Sequence, residues 1–518
     1  MTWLETLMDE PFVCITDMLR RFAKERAEHA ALICDGEIVT YAALDARVDR
    51  FAAALQRDGV KPCDAIALCA AASVEYVVAF LGGLRAGAAV APLAPSSSAA
   101  SLVSMIGNSG ARLLFLDADV KRLLEPVAGE IDAIPIALDA HAGSTPLEAW
   151  LAPKGTTPET VTIDPAWPFN IIYSSGTTGT PKGIVQPHGM RWAYAARSIQ
   201  RGYGPDATTL ISTPLYSNTT LVSFMPTLTF GGTVVLMPKF DAIRYLELAH
   251  QYRVTHTMLV PVQYQRLMAH PDFDRYDLSS FQAKFCTSAP FAASVKADVV
   301  RRWPGKLTEY YGMTEGGGSC QLEADEFPAK LHTVGKPAEG HDIRLIDELG
   351  NEVAAGEVGE IVGHSPAMMT GYYRQPDKTA EAEWHDPSGK RFIRTGDMGR
   401  FDADGFLTLL DRKKDMIISG GFNIYPSDLE AELGSHPDVA DVAVVGMHSA
   451  QWGETPVAFV VRRTDASIGA ETLLAWVNAR LGKMQRLSAL IFVDALPRSP
   501  IGKVLKRELR ERHDPAAR

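Results

Sequence analysis

The sequence predicts an α/β protein with a large N-terminal domain of several subdomains and a small α+β domain behind it. Three observations predict it. Short apolar runs alternate with segments of helical period through most of the chain, the pattern of sheets covered by helices. After Thr333 the texture changes to Gly-rich short strands, which suits a β-rich subdomain. At Asp411-Arg412-Lys413-Lys414-Asp415 five charges in a row interrupt the pattern, and the alternation then resumes. At 518 residues the chain exceeds what one hydrophobic core organises.

Taken in order, Leu44, Val48, Phe51, Ala52 and Leu55 recur at helical spacing over 40–55. Ala65 to Ala70 reads as a buried strand, Val74 to Ala86 as an apolar helix and Ala89 to Leu93 as a strand. Strands follow at 112–116 and 134–137, and the Pro/Thr-rich stretch 152–168 reads as a connector. Beyond it, 208–212, 233–237, 256–260 and 307–310 read as strands, and 243–252 and 291–303 as helices. The β-rich part shows strands at 343–346 and 359–362. Strands at 406–410 and 416–419 flank the charged run, which is expected to be an exposed linker. The last part reads as helix 426–434, strands 439–446 and 455–461, helix 470–481 and strand 489–492.

Composition excludes several classes. Hydrophobic content of 46% and charged content of 22% are those of a soluble globular protein. A net charge of −11 argues against non-specific nucleic-acid binding, so an anionic ligand must be met by local positive charge. Cys14, Cys34, Cys63, Cys69, Cys286 and Cys320 show no zinc spacing and no Cys-x-x-Cys, which points to buried hydrophobes in a reducing, cytoplasmic setting. The N-terminal stretch lacks the pattern of a signal peptide, and Arg85 interrupts the candidate membrane span. A homodimer is the default expectation because closed symmetric dimers are common.

The stretch Tyr173 to Gly183 places Ser174, Ser175, Thr177, Thr178 and Thr180 with Gly176, Gly179 and Lys182 between two apolar runs. Glycines let backbone N–H groups converge on an anion, hydroxyls add short donors, and Lys182 adds a mobile charge. The pattern differs from the common phosphate loop, because Gly183 rather than Ser or Thr follows the lysine. Read alone, the same composition also fits a solvated hairpin turn.

Five segments in order change that reading. They are the hydroxyl loop, Tyr311-Gly312-Met313-Thr314-Glu315, Arg394-Thr395-Gly396-Asp397, Asp411-Arg412 with Ser419 to Pro426, and Pro497-Arg498-Ser499-Pro500-Ile501-Gly502-Lys503. Together they resemble the adenylate-forming superfamily of acyl-CoA ligases, non-ribosomal peptide adenylation domains and firefly-type luciferases, closest to AMP-forming carboxylate–CoA ligases of the aryl and fatty-acid type. The resemblance spans nearly the whole chain. It implies two α/β sheets in an ATP- and acyl-binding domain, residues 1–411, and a mobile C-terminal domain, residues 412–518. It also implies ATP, Mg²⁺ and coenzyme A as cosubstrates and cofactor.

Residue by residue, the resemblance implies that Tyr311 stacks on adenine beside Gly312, that Thr314 contacts the α-phosphate and that Glu315 holds Mg²⁺, a hard ion that takes carboxylate oxygen. Asp397 and Arg412 are implied as ribose contacts, and Lys503 as the cation bridging substrate carboxylate and α-phosphate during adenylation. Lys414 occupies the implied hinge. Gly420 and Gly421 line the implied pantetheine tunnel, and Trp452 is implied to stack on the CoA adenine. Arg486 is an implied CoA phosphate contact, although Gln485 stands where the family often has lysine.

The acyl pocket is implied at Tyr216, Ser217, Asn218, Ser288, Ala289 and Tyr310, with Gly316, Gly317 and Gly318 leaving space or turning N–H groups to the substrate. Ser217 stands where many CoA ligases carry histidine. The implied substrate is an aromatic or medium-chain carboxylic acid. A rival within the superfamily is a stand-alone amino-acid or aryl-acid adenylating enzyme that loads a carrier protein. Amino acids are disfavoured, because Tyr216-Ser217-Asn218 offers no acid to pair with an amine.

Overall fold

The computed structural model describes residues 3–139, 144–174, 181–419, 422–449, 451–464, 466–482, 485–499 and 502–513. The chain folds into two compact units. The first holds Met1–Leu331, Ala338–Asp342 and His364–Ile393; the second holds His332–Pro337, Ile343–Gly363 and Arg394–Arg518.

Two sheets organise the first unit. One has a parallel run in the order Lys306–Tyr311, Ala283–Cys286, His256–Leu259, Thr208–Ile211, Thr233–Leu236 and Ala30–Cys34. Antiparallel Cys320–Glu323 lies beside its first strand and Glu37–Thr40 beside its last. The other sheet runs Gly371–Tyr372, Lys182–Pro187, Pro168–Ser174, Ala89–Pro92, Ala65–Cys69, Leu113–Leu116, Ile134–Ala137 and Thr145–Pro146. Lys182–Pro187 is antiparallel to both of its neighbours, and the remaining pairs are parallel. Central strands such as Ala65–Cys69 and Leu113–Leu116 are buried along their whole length, which is why they read as unbroken apolar runs.

One apolar core joins the two sheets, with Leu32, Val234 and Leu236 on one side and Ile66, Val90 and Phe169 on the other. Helices Tyr41–Arg57, Val74–Arg85 and Asn218–Thr229 contribute Phe51, Val77 and Phe224 to it. Helix Val74–Arg85 buries every residue except Glu75, the mark of a helix wrapped on all sides. It lies so close to Phe51 that a Cβ at Gly82 would fall 2.6 Å from that ring. Arg85 is buried too, and pairs with Asp45 and Asp49 at 2.6 and 2.7 Å. Among the described residues no helix is long and apolar enough to cross a membrane. All six cysteines are free, and Cys34, Cys69, Cys286 and Cys320 are buried.

In the second unit Leu407–Arg412 pairs antiparallel with residues 397–401. A further sheet runs Phe422–Ile424, Ile417–Ser419, Gly453–Arg462 and Val439–Ser449, with Ala489–Phe492 parallel to Gly453–Arg462. Helices Pro426–Gly434 and Ala470–Asn478 close a core of Leu429, Leu433, Val444, Val460, Leu473 and Val477.

Two expectations change. The helix expected over 470–481 stops at Asn478, whose side chain accepts from Leu487 N at 2.9 Å and donates to Leu487 O at 3.0 Å, holding the chain that follows against the helix end. The charged run is not a solvated linker throughout. Asp411 and Arg412 end a strand, and Asp411 is largely buried where Lys506 approaches it at 3.5 Å and Ser427 N donates to it at 2.5 Å. Burial pushes its carboxyl up to about 6 despite the lysine.

Candidate active site

The Tyr311 to Glu315 segment follows directly from a central strand. Lys306–Tyr311 lies between Ala283–Cys286 and Cys320–Glu323, so its carboxyl end opens where ligands enter α/β sheets. The strand is anchored below by a buried ion pair between Glu309 and Lys296 of helix Ala293–Arg302. Past Tyr311 the chain turns, with Gly316 N donating to Met313 O at 3.0 Å.

Two neighbours hold this turn. Gln186 Nε2 donates to Thr314 O at 2.6 Å and to Asn218 Oδ1 at 3.3 Å. On the other side Met369 N donates to Glu315 O at 2.8 Å, and the Tyr372 hydroxyl donates to Glu315 Oε1 at 2.9 Å. Burial raises the Tyr372 phenol well above its ordinary value, so it stays a donor. Lys182 Nζ lies 5.1 Å from the centroid of the same ring. Lys182, Tyr372, Glu315, Thr314, Gln186 and Asn218 thus form one connected polar cluster.

Ser174 ends the Pro168–Ser174 strand and pairs in antiparallel register with Lys182. The hydroxyl loop therefore connects two antiparallel strands, not a strand to a helix. Ser175, Gly176, Thr177, Thr178 and Gly179 lie outside the described residues, as do Gly420 and Gly421.

Around the implied acyl pocket, Ser217 is buried at the start of helix Asn218–Thr229, and burial raises the half-buried Tyr216 phenol. Thr219 Oγ1 and Ser288 Oγ are 2.5 Å apart, and Ser288 takes φ +84°, an uncommon backbone for a residue with a side chain. Tyr310 packs against Phe285 at 5.9 Å between centroids, and the Arg201 guanidinium lies 5.9 Å from its ring. Burial pushes the Tyr310 phenol up to about 12. Gly316 and Gly317 take φ +76° and +86°. A Cβ at Gly316 would overlap the Ala367 carbonyl, so glycine there serves close backbone approach.

Within the second unit, antiparallel register sets Asp397 opposite Arg412, and Arg412 Nε stands 3.3 Å from Asp397 Oδ1. Thr395 Oγ1 accepts from Asp397 N at 3.0 Å and donates to Ile361 O at 2.9 Å. Lys413 and Arg394 both reach Glu360, at 3.4 and 3.0 Å, and Lys414 is lowered by burial. Lys503 is exposed beside Gly502, whose φ is +80°. Ser499 N donates to Lys503 O at 2.8 Å and Arg498 Nη1 to Gly502 O at 2.7 Å, which close the turn. Trp452 is exposed at a strand start.

Gln186, Tyr372, Arg191 and Arg201 escaped the sequence reading. The signal for Gln186 was a polar residue directly after the apolar pair Ile184-Val185.

Glu315 fits a role as a protein ligand of a divalent ion. Its carboxylate is oriented by Tyr372, and among the described residues no group of three or more His, Cys, Asp or Glu could hold a metal by itself. An ion there would complete its shell with phosphate and water oxygens, as Mg²⁺ commonly does.

Residues 19–373 match the AMP-binding enzyme family, and residues 428–503 the AMP-binding enzyme C-terminal domain. A feruloyl-CoA synthase of Amycolatopsis is 34% identical over 499 residues, covering 92% of this chain and 94% of the relative. A fatty acid–[acyl-carrier-protein] ligase of Streptomyces coeruleorubidus is 30% identical over 494 residues, covering 93% of each. The ATP-bound structure of MatB from Rhodopseudomonas palustris aligns with a TM-score of 0.87 at 29% identity, over 97% of this chain and 100% of that one. The chain belongs to the AMP-binding, adenylate-forming family and is an enzyme of its AMP-forming acid–CoA ligase branch.

Proposed function

We propose that the protein is an ATP-dependent ligase that joins an aromatic or medium-chain carboxylic acid to coenzyme A through an acyl-adenylate. In the first step a substrate carboxylate oxygen bonds to the α-phosphorus of ATP and the bond to pyrophosphate breaks. In the second, the CoA sulfur, having lost its proton, bonds to the acyl carbon and AMP leaves with its electron pair.

The observation that carries this reading is the clamp on Thr314 and Glu315, held by Gln186 on one side and Tyr372 on the other. Neither step uses an enzymatic nucleophile, so the work is positioning and charge stabilisation. Thr314 donates to the α-phosphate, Glu315 would hold a magnesium ion whose charge would offset that of the phosphates, and Lys182 with the hydroxyl loop receives the departing pyrophosphate. Asp397 accepts from the ribose hydroxyls, with Arg412 beside it. Lys503 supplies positive charge between the two reacting anions. Residues 412–518 turn as a body about Lys414 between steps, withdrawing Lys503 and bringing Gly420, Gly421 and Trp452 to the CoA arm.

The feruloyl-CoA relative supports an aromatic acid, in a pocket formed by Tyr216, Ser217, Asn218, Ser288, Ala289, Tyr310 and Gly316 to Gly318. The carrier-protein ligase among the relatives supports a second reading, in which a carrier's pantetheine thiol replaces CoA. The free cysteines support a reducing, cytoplasmic setting.

The test is a panel of carboxylic acids assayed for pyrophosphate release and AMP formation, with and without CoA. CoA-dependent AMP release with an aryl or medium-chain acid is expected. Pyrophosphate release that ignores CoA but is accelerated by a carrier protein would support the second reading. No release with any acid would overturn both.

A further inference from the structure

Arg191 is 2% exposed in the first turn of helix His188–Ser198. Among the described residues no carboxylate pairs with it. Its Nη2 donates to Gln186 Oε1, while Nε and Nη1 are buried without a hydrogen-bond partner. The Phe169 ring, 5.6 Å from Cζ, gives only a weak attraction. Burial lowers the guanidinium to about 10, which leaves it charged at neutral pH. An ionised group in a protein interior without an opposite charge is costly. Its position adds to that cost, because this helix has no acid in its first turn and its N-terminal dipole is itself positive.

The cation is connected to one place. Gln186 is fully buried, and with Oε1 held by Arg191 its amide nitrogen must face Thr314 O and Asn218 Oδ1. A neutral side chain at 191 would leave that amide free to turn over.

We propose that Arg191 is a positioning residue for the anionic reaction centre, a buried cation whose counter-charge is the bound ligand's α-phosphate and which acts through Gln186 on Thr314. The inference rests on the reading of Thr314 as the α-phosphate contact. It makes the ligand-free protein less stable than it could be and the phosphate-bound protein correspondingly tighter, a trade common at functional sites. Trapped water satisfying the guanidinium, with no bearing on ligands, is the competing account.

The test compares binding of AMP and of uncharged adenosine by calorimetry, together with unfolding temperatures of the ligand-free protein. Arg191→Met is expected to weaken AMP at least tenfold and adenosine less than twofold, with an unchanged or higher unfolding temperature. Arg191→Lys should recover most of the AMP affinity. Gln186→Glu gives Arg191 a partner inside the core, while its second oxygen has no proton to offer Thr314 O, and it should also lower the AMP-to-adenosine preference. Parallel changes for both ligands, or an unchanged preference in Gln186→Glu, would overturn the proposal. Wild-type protein that binds neither ligand would overturn the ligase reading with it, whereas normal wild-type binding with unaltered preference in the variants would sink this inference alone.

Discussion

The Tyr372 hydroxyl donates to Glu315 Oε1 at 2.9 Å while the face of the same ring meets Lys182 Nζ at 5.1 Å from its centroid. One side chain therefore aligns the implied metal ligand and the implied pyrophosphate lysine. Tyr372→Phe keeps the ring and removes the donor. A hydrogen bond to a charged group contributes about 1.5–3 kcal/mol, so kcat/KM for ATP should fall roughly tenfold to a hundredfold. More magnesium should also be needed for half-maximal rate. Tyr372→Leu should lose more, because the lysine contact goes too. Steady-state rates across a magnesium series check this, and a Tyr372→Phe enzyme with wild-type magnesium dependence would contradict it.

Lys503 sits at the end of a closed turn that presents it to solvent. If its charge serves only the first half-reaction, Lys503→Ala should slow adenylation by about 10²–10³, the usual cost of losing one stabilising group. Conversion of pre-formed acyl-adenylate plus CoA to thioester should stay within a few-fold of wild type. Rapid-quench assays of each half-reaction separate the two, and equal losses would count against the division of labour.

The strand leading into Tyr311 is tied down by Lys296 and Glu309, whose side chains are 2% and 5% exposed. Burial raises the Glu309 carboxyl and the lysine opposes that. Breaking such a pair leaves one charge buried alone, at about 3–5 kcal/mol. Lys296→Met should therefore be strongly destabilising, and Lys296→Met with Glu309→Leu should recover most of the loss. Denaturant unfolding of the two variants decides it, with a mild single-variant effect refuting the account.

The strands were legible because parallel strands buried on both faces leave unbroken apolar runs, as at Ala65–Cys69 and Leu113–Leu116. The motif residues were legible because unusual residue types cluster at fixed order. What escaped depends on partners distant in sequence. Nothing local in Gly371-Tyr372 announces a hydroxyl aimed at Glu315, and Gln186 reads as an irregularity until Thr314 and Arg191 are seen beside it. Asn478, the last residue of its helix, bonds through its side chain to Leu487, a contact no helical period encodes. Gly316 suggested open space, yet the Ala367 carbonyl occupies that side. Asp411 looked like a linker charge until Lys506 and Ser427 closed over it.

His188 opens the helix that carries Arg191, 3% exposed, with its ring 5.0 Å edge-on from Phe169 and Nε2 without a hydrogen-bond partner among the described residues. Burial lowers it to about 4 from the ordinary 6.5. Between those values the unfolded chain binds a proton that the folded chain refuses, so stability rises with pH across the window. The penalty is complete below about pH 4 and absent above about 6.5. At pH 4.5 it amounts to roughly 2–3 kcal/mol relative to pH 7. His188→Phe removes the titration while keeping an aromatic ring against Phe169. Whatever its stability at pH 7, the variant should lose about that much less than wild type on going to pH 4.5. His341, also lowered to about 4, leaves both proteins with a common residual slope. Denaturant unfolding at pH 7, 5.5 and 4.5 measures the difference, and parallel curves for the two proteins would mean that position 188 accepts a proton without opening the fold.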